Sequence, residues 1–356
     1  MTVDDIPTAR PLPRPTVADT QHMAELLAGF QQSQALYAFG ELGLANALLD
    51  GPLPAADLAA ATGTDPAALT RLLRFLSALD VVTYDAAEVF ALTPLGATLA
   101  DGPGSVRALA RFWMHTHYHP FSDLATTVRT GEPAFQAHFG QTIGAWLDAH
   151  PEHMASLIGA MSDVALSIKV DLLAGYALPP GEIVADIGGA DGTVLAGLLD
   201  RPDQERRGAP RRRGIVLDVP AAVAPATARL AALGLADRVE AVGGNFFEAV
   251  PAADVYILST VLHDWDDDQC ATLLGTIAKA ARPRAHLVVV EAVLPDTDVS
   301  HPAKFNDLAM LGVGTGRERS RAEYGRLLGA AGFTETRLIP GPSYNPFSIL
   351  EARLDR

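Results

Sequence analysis

The sequence predicts an α/β protein. A Rossmann-like, doubly wound and mainly parallel sheet should fill the carboxyl-terminal half, behind an N-terminal, all-helical, winged-helix-like domain. Three observations predict it. From Gly181 onward, short apolar runs alternate with helical segments, the texture of βαβ units. The first of those runs ends in an acidic residue and a glycine cluster that opens a helix. Ahead of them, the first hundred residues read as helix, turn, helix and hairpin.

Size and charge bound the reading. A chain of 356 residues suggests two domains, and one that is 49% hydrophobic can build a large core, which excludes general disorder. The apolar surplus also points to an oligomer interface. A net charge of −15 disfavours nucleic acid and anionic membranes as partners. Cys270 is the single cysteine, so an intramolecular disulfide and a multi-cysteine zinc site are excluded. That usage suits a reducing cytoplasm. The N-terminus has no apolar signal-peptide core, and no uninterrupted run of about 18 apolar residues suggests a membrane span. The expected location is cytoplasmic.

Residues 1–15, acidic and then Pro-rich, are expected as a disordered lead-in, and 16–104 as the N-terminal domain. Between Val17 and Leu49, Met23, Leu26, Leu27, Phe30, Phe39 and Leu48 recur at helical spacing. Two short helices follow. Gly63 ends the first, and Asp65 with Pro66 caps and opens the second. The stretch VVTYDAAEVFALTPLG alternates around a turn and reads as a hairpin. Helix, turn, helix and hairpin also permit DNA binding. The second helix carries Arg71 and Arg74, but the basic footprint that function needs is missing. A dimerisation and substrate-lid role fits better.

Residues 105–175 are expected as a helical linker with the aromatic, histidine-rich run RFWMHTHYHPF, and 176–356 as the sheet domain. The strands are expected in EIVADIGG, RGIVLDVP, RVEAVGGNFF, ADVYILSTVL, AHLVVVEAVL and FSILEARL. The basic segment RPDQERRGAPRRRG, over 201–214, reads as a solvated surface loop.

Four signals carry chemistry. In ADIGGADG, Asp186 ends a strand and Gly188, Gly189 and Gly192 let the backbone turn tightly and approach a ligand. The acidic residue precedes the glycines, so this is not the dinucleotide fingerprint. Asp218 ends the second strand, where a carboxylate can accept from ribose hydroxyls. In GGNFF, Asn245 can read an adenine edge and Phe246 can cover a ring. The fourth and sharpest is LSTVLHDWDDDQC, which delivers His263 at the carboxyl end of a buried strand, the edge where ligands sit in open α/β sheets. Its imidazole suits proton abstraction from a phenol or enol. The histidines of HTHYH, 115–119, invite a metal reading, but the stretch is helical and has no carboxylate cluster beside it, so no metal is expected.

In this order and at compatible spacing, these motifs resemble the plant caffeate-type O-methyltransferases and their bacterial relatives that methylate natural products with S-adenosylmethionine. The resemblance spans roughly residues 20–355, including VRTGEPAF and the segment RERS. It implies a Rossmann-like methyltransferase domain with an N-terminal dimerisation domain, hence a homodimer. Asp186, Gly188, Gly189 and Gly192 would lie against the amino-acid part of S-adenosylmethionine. Asp218 would take the ribose, Asn245 and Phe246 would meet the adenine, and Ser259 would lie nearby. His263 would be the general base, with Glu291 and Glu318 orienting it. Trp113, His117, Tyr118, Asn306 and Met310 would line the pocket of a small aromatic acceptor, and S-adenosylhomocysteine would be the product. The chain departs from the pattern in having Asn245 where many relatives have Asp. It also has Ser259 and Thr260 near a plant lysine, and a loop before Glu318 that looks short, which would displace that residue. Two alternatives stay open. One is a methyltransferase fold recruited for S-adenosylmethionine-assisted hydroxylation, decarboxylation or pericyclisation. The other is a metabolite-sensing DNA-binding regulator.

Overall fold

The structure is a computed structural model, and it describes residues 14–199 and 212–355. The lead-in up to residue 13 and the basic segment over 201–211 lie outside the described residues. The chain divides into two compact units, Met1–Ala100 and Asp101–Arg356.

The first unit opens with α1 (Val17–Leu27), α2 (Gly29–Glu41) and α3 (Leu44–Ala47). Thr16 and Asp19 form a reciprocal capping box at the start of α1, satisfying two otherwise orphaned amides. Within the chain α1 buries none of its residues, and Met23, Leu26 and Leu27 are exposed. The strand β1 (Leu53–Pro54) leads into α4 (Ala55–Thr62) and α5 (Pro66–Ser77). The oxygen of Asp65 accepts from the amide of Ala68 at 2.8 Å, and Leu69, Leu73 and Leu76 form the buried stripe of α5. The hairpin follows as β2 (Val82–Tyr84) and β3 (Val89–Leu92), its turn braced by Asp85, whose Oδ1 accepts from the amides of Ala87 and Val89. Pairing of β1 with β3 makes a three-stranded sheet, one strand more than the hairpin pattern shows. At two residues, β1 is too short to carry an alternation. The unit closes with α6 (Pro94–Ala97).

The second unit begins with helices: α7 (Arg107–Trp113), α8 (Leu124–Thr130), α9 (Ala134–Phe139), α10 (Ile143–Ala149), α11 (Pro151–Asp163) and α12 (Val170–Ala174). π-Helical turns at Met114–Tyr118 and Val164–Ile168 extend α7 and α11. The sheet and its covering helices follow as β4 (Ile183–Ile187), α13 (Thr193–Leu199), β5 (Arg213–Asp218), α14 (Pro220–Ala232), β6 (Val239–Gly243), β7 (Val255–Ser259), α15 (Asp267–Ala280), β8 (His286–Leu294), α16 (Ala303–Val313), β9 (Arg319–Ser320), α17 (Arg321–Ala330), β10 (Phe333–Pro340) and β11 (Phe347–Leu354).

The strand order is β10-β11-β8-β7-β4-β5-β6, with β9 paired to β8 alone. Strands β6, β5, β4, β7 and β8 run parallel, and β11 and β10 form an antiparallel edge. Strand parity divides the core. Val184, Ile257 and Val288 face one side, with Leu109, Phe135, Trp146 and Leu173 from the helical stretch over 105–175. Ala185, Leu258 and Val289 face the other, with Leu273 and Ile277 of α15. Both faces are covered, which is why these strands read as continuous apolar runs. The helical stretch therefore shares one core with the sheet. All six expected strands are present. The unexpected β10 is an edge strand in which only Phe333 is buried, so its sequence, FTETRLIP, carries no core signal.

The chain winds from β4 out through β5 to β6, then crosses back to β7 on the far side of β4. That reversal opens a crevice at the carboxyl ends of β4 and β7, the place where such sheets take ligands.

Candidate active site

The loop after β4 forms one wall of the crevice. Gly188 has φ +72°, a conformation that a side chain would strain, and its amide donates to Leu217 O at 2.8 Å. Asp186, at the end of β4, is fully buried, and neither carboxylate oxygen has a hydrogen-bond partner among the described residues. Burial, and after it the charge of Asp218, pushes its pKa up to about 7. A side chain at Gly189 would collide with this carboxylate. Asp218 ends β5 and accepts from the amides of Ala190 and Val219, each at 2.7 Å, while burial raises its pKa. Gly192 begins the turn into α13.

Past β6, the Asn245 side chain is engaged in its own turn. Its Nδ2 donates to Glu248 at 2.9 Å and its Oδ1 accepts from the amide of Phe247. Phe246 stands edge-on to Phe247 and Trp265 and comes near Gly188. At the end of β7, Ser259 is buried and accepts from the Nζ of Lys169 at 2.8 Å, and Thr260 Oγ1 accepts from the same ammonium at 3.1 Å. Thr260 has φ +55°, an outlier for a β-branched residue. Lys169, at the start of α12, is 2% exposed, and the ring of Phe347 lies 4.6 Å from its Nζ. Burial lowers its pKa to about 8 against the pull of Glu291, Asp186 and Glu318.

His263 sits on a short helical turn, Leu262–Asp264, just beyond β7. Its Nδ1 lies 2.9 Å from Glu318 Oε1 and 3.7 Å from Glu291 Oε2. Both carboxylates are buried, with pKa values raised by that burial. Glu291, within β8, acts mainly on the backbone. Its Oε1 accepts from the amides of Val261 and Leu262 at 2.9 and 2.8 Å, fixing the turn that presents the imidazole. Burial alone would lower the His263 pKa, but Glu318, Glu291 and Asp264 outweigh it and lift the value to about 10. Among the described residues the Nε2 makes no hydrogen bond, and Asp264 Oδ1 lies 3.5 Å from it, longer than a formed hydrogen bond. The loop before Glu318 does not displace it: the Glu318 amide donates to Asp307 of α16, which anchors the loop.

Two residues hold this arrangement that the sequence alone does not single out. The buried Arg319 donates to the carbonyls of Leu262 and Trp265, each at 2.8 Å, and to Asp267 at the start of α15. At Gly316, an added Cβ would overlap the carbonyl oxygen of His263 and the backbone of Asp264. Lys169 is likewise absent from the sequence reading. A lone cation in SIKVDLL looks like any solvated lysine, and nothing in its spacing reveals burial.

Of the five residues expected around an acceptor, Trp113 ends α7 and the other four lie on two elements that touch. The π-helical turn carries His117 and Tyr118 and packs against α16, which carries Asn306 and Met310. His117 is buried, its Nδ1 2.8 Å from Thr116 Oγ1, and burial lowers its pKa to about 4. Tyr118 and Asn306 are half-buried, Met310 borders the core and Trp113 is exposed. The other histidines of HTHYH diverge: His115 contacts His153, and His119 stacks on His138. The His263, Glu291 and Glu318 donor atoms do lie within 4.8 Å of one another, a spacing that could hold a metal ion. Cys270 is buried in α15, and burial raises its pKa to about 11.

Two family models match the chain: an O-methyltransferase domain over residues 121–334 and an O-methyltransferase dimerisation domain over residues 24–102. The chain belongs to the O-methyltransferase family. The phenazine O-methyltransferase of Lysobacter antibioticus is 35% identical over 333 residues, covering 93% of this chain and 95% of that protein. The O-demethylpuromycin-O-methyltransferase of Streptomyces alboniger is 36% identical over 339 residues, covering 93% and 88%. Among solved structures, an O-methyltransferase from neocarzinostatin biosynthesis, in complex with S-adenosylmethionine and 2-hydroxy-5-methyl naphthoic acid, is 32% identical. It superposes with a TM-score of 0.72 over 90% of this chain and 95% of that one. The winged-helix-like segment thus falls within the dimerisation domain. No helix among the described residues is long and apolar enough to cross a membrane.

Proposed function

We propose that this protein transfers a methyl group from S-adenosylmethionine to a hydroxyl, phenolic in the first instance, of a small aromatic natural-product intermediate, with His263 as the proton acceptor. The observation that carries the reading is the imidazole itself. It stands at the carboxyl edge of the sheet, its Nδ1 held by a buried carboxylate at 2.9 Å and its Nε2 left for an acceptor.

The residues of the crevice fit the methyl donor. Asp186 offers two buried, unpartnered oxygens suited to an ammonium, the glycine loop leaves room above them, and Asp218 suits a ribose. Phe246 suits an adenine face. Asn245 would contribute there only by leaving its turn, so its part is the weakest of the set. When bound, S-adenosylmethionine supplies a methyl already activated by the sulfonium charge.

The protein's task is then to place a nucleophilic oxygen and manage its proton. His117, Tyr118, Asn306 and Met310 suit the positioning. With its pKa near 10, His263 is matched to a phenol, whose own value is about 10, so the proton passes between them at little cost. The O–H proton goes to Nε2, the O–CH₃ bond forms as the S–CH₃ bond breaks, and the sulfonium becomes a neutral thioether. The same pKa means that His263 is protonated at neutral pH. The acceptor-bound site becomes competent after losing one proton to solvent.

The domain plan also belongs to this reading. The helices over 105–175 would receive the acceptor, the sheet domain would hold the methyl donor, and the exposed face of α1 would pair two chains into a homodimer. The test is His263→Ala, assayed with a panel of phenols by formation of S-adenosylhomocysteine and of product one methyl heavier. A loss in kcat of about 10²–10⁴-fold is expected, smaller for acidic phenols. Wild-type kcat on a weakly acidic phenol at pH 7 would remove His263 from the role.

A further inference from the structure

Lys169 is unusual in this unit. Its ammonium is almost wholly buried, yet among the described residues its hydrogen bonds go only to the neutral hydroxyls of Ser259 and Thr260. No carboxylate among those residues lies within ion-pair distance of it. An ammonium has three donors, so one is unspent. Burying a charge without an anion in contact is costly. The cost is explained if an anion arrives with a ligand.

The surroundings specify that ligand. Lys169 and Asp186 line one pocket, together with Gly188, Gly189, Ser259 and Thr260. The pocket thus holds one buried cation with a free donor and one buried carboxylate with two unpartnered oxygens. A cation and an anion facing a single cavity, beside a loop where glycines permit close approach, suit a zwitterion. The strained backbone of Thr260 contributes to holding the ammonium there, since its hydroxyl is the second anchor of Nζ.

We propose that Lys169 binds the α-carboxylate of the methyl donor's amino-acid head, while Asp186 takes its ammonium. The inference rests on the cofactor reading given above and adds to it the residue that recognises the acid group. Lys169 is a binding residue and takes no part in moving the acceptor's proton.

Calorimetry on the full-length protein tests this, with two probes that differ by one group. S-adenosylmethionine carries the carboxylate, and decarboxylated S-adenosylmethionine keeps the ammonium, sulfonium and nucleoside. Wild type should bind the former more tightly by about 10- to 100-fold, the worth of a charged hydrogen bond. Lys169→Met should lose that preference, binding the intact molecule about 10- to 100-fold more weakly and the decarboxylated one within about twofold of wild type. Retained affinity for the decarboxylated probe also shows that the variant is folded. Lys169→Gln repeats the comparison should the apolar variant fail to fold. Equal losses for both probes, or no loss for either, would overturn the assignment. Wild-type protein that binds neither probe would overturn the cofactor reading itself, and this inference with it.

Discussion

Glu318→Gln isolates the electrostatic part of the candidate site. The glutamate is fully buried, and its Oε1 is 2.9 Å from His263 Nδ1, so solvent screens the pair little. The amide keeps the shape and a hydrogen-bonding oxygen but removes the charge. A hydrogen bond to a charged partner contributes about 1.5–3 kcal/mol, which corresponds to roughly 1–2 pKa units. The His263 pKa should therefore fall from about 10 to about 8–9, still held up by Glu291. Protein labelled at the histidine ring carbon, titrated by NMR and assigned by comparison with His263→Ala, reads this directly. Activity should follow. If one proton must leave the acceptor-bound site, wild-type kcat/KM should rise about tenfold per pH unit between pH 7 and 9. The variant's profile should bend over about 1–2 units earlier, at a lower plateau. A His263 resonance in wild type that titrates below pH 7 would refute the reasoning, because it would mean that the two carboxylates do not hold the imidazolium.

Asp218→Ala should weaken binding of S-adenosylmethionine by about 1.5–3 kcal/mol, and unchanged affinity in calorimetry would take Asp218 out of the site. Gly316→Ala should force the backbone of His263 and Asp264 aside, lowering stability by about 1–3 kcal/mol in denaturant unfolding and cutting kcat more than donor affinity. Deleting residues 1–50, which removes the exposed apolar face of α1, should convert a dimer to a monomer in light scattering. A full-length chain that is monomeric at micromolar concentration would exclude the pairing.

The sheet was legible because its central strands β4, β7 and β8 are buried on both faces and so appear as apolar runs broken at most by one acid, IVADI or VVVEAVL, between helical stretches. The antiparallel edge strand β10 was not, since charged residues occupy a strand with one wet face. Local chemistry was equally readable where one short segment carries it: Asp65 with Pro66 at a helix start, or the glycines after Asp186. What the sequence hides is burial produced by distant segments. Lys169 meets Ser259 and Thr260 across about ninety residues, and Arg319 grips the His263 turn from more than fifty residues away. Neither carries a local mark that separates it from a surface cation. Asn245 fails in the opposite sense. Its side chain suits an adenine edge, yet the same donor and acceptor satisfy its own turn through Glu248 and Phe247, a competition that residue type alone cannot resolve.

The charges at the carboxyl edge of the sheet would connect the proposed base to the methyl donor. Asp186, Asp218, Glu291 and Glu318, with Asp264 beside the imidazole, stand there against Lys169 and His263. Five acids against two bases leave the edge short of positive charge, and burial makes each uncompensated carboxylate among the buried ones costly. The edge accordingly retains protons: burial above all shifts all five acids upward, and, against its own burial, the imidazole is lifted by the carboxylates. Under the proposed function, a sulfonium brings a missing cation, so the deficit that lifts His263 also favours the charged methyl donor over the neutral thioether left after transfer. The same deficit opposes a phenolate, and the imidazolium is the group placed to offset it. Serving both needs requires His263 to stay protonated beside its carboxylates while the acceptor oxygen becomes anionic. Under the proposed function, that requirement predicts a rate that climbs with pH rather than a plateau at neutrality.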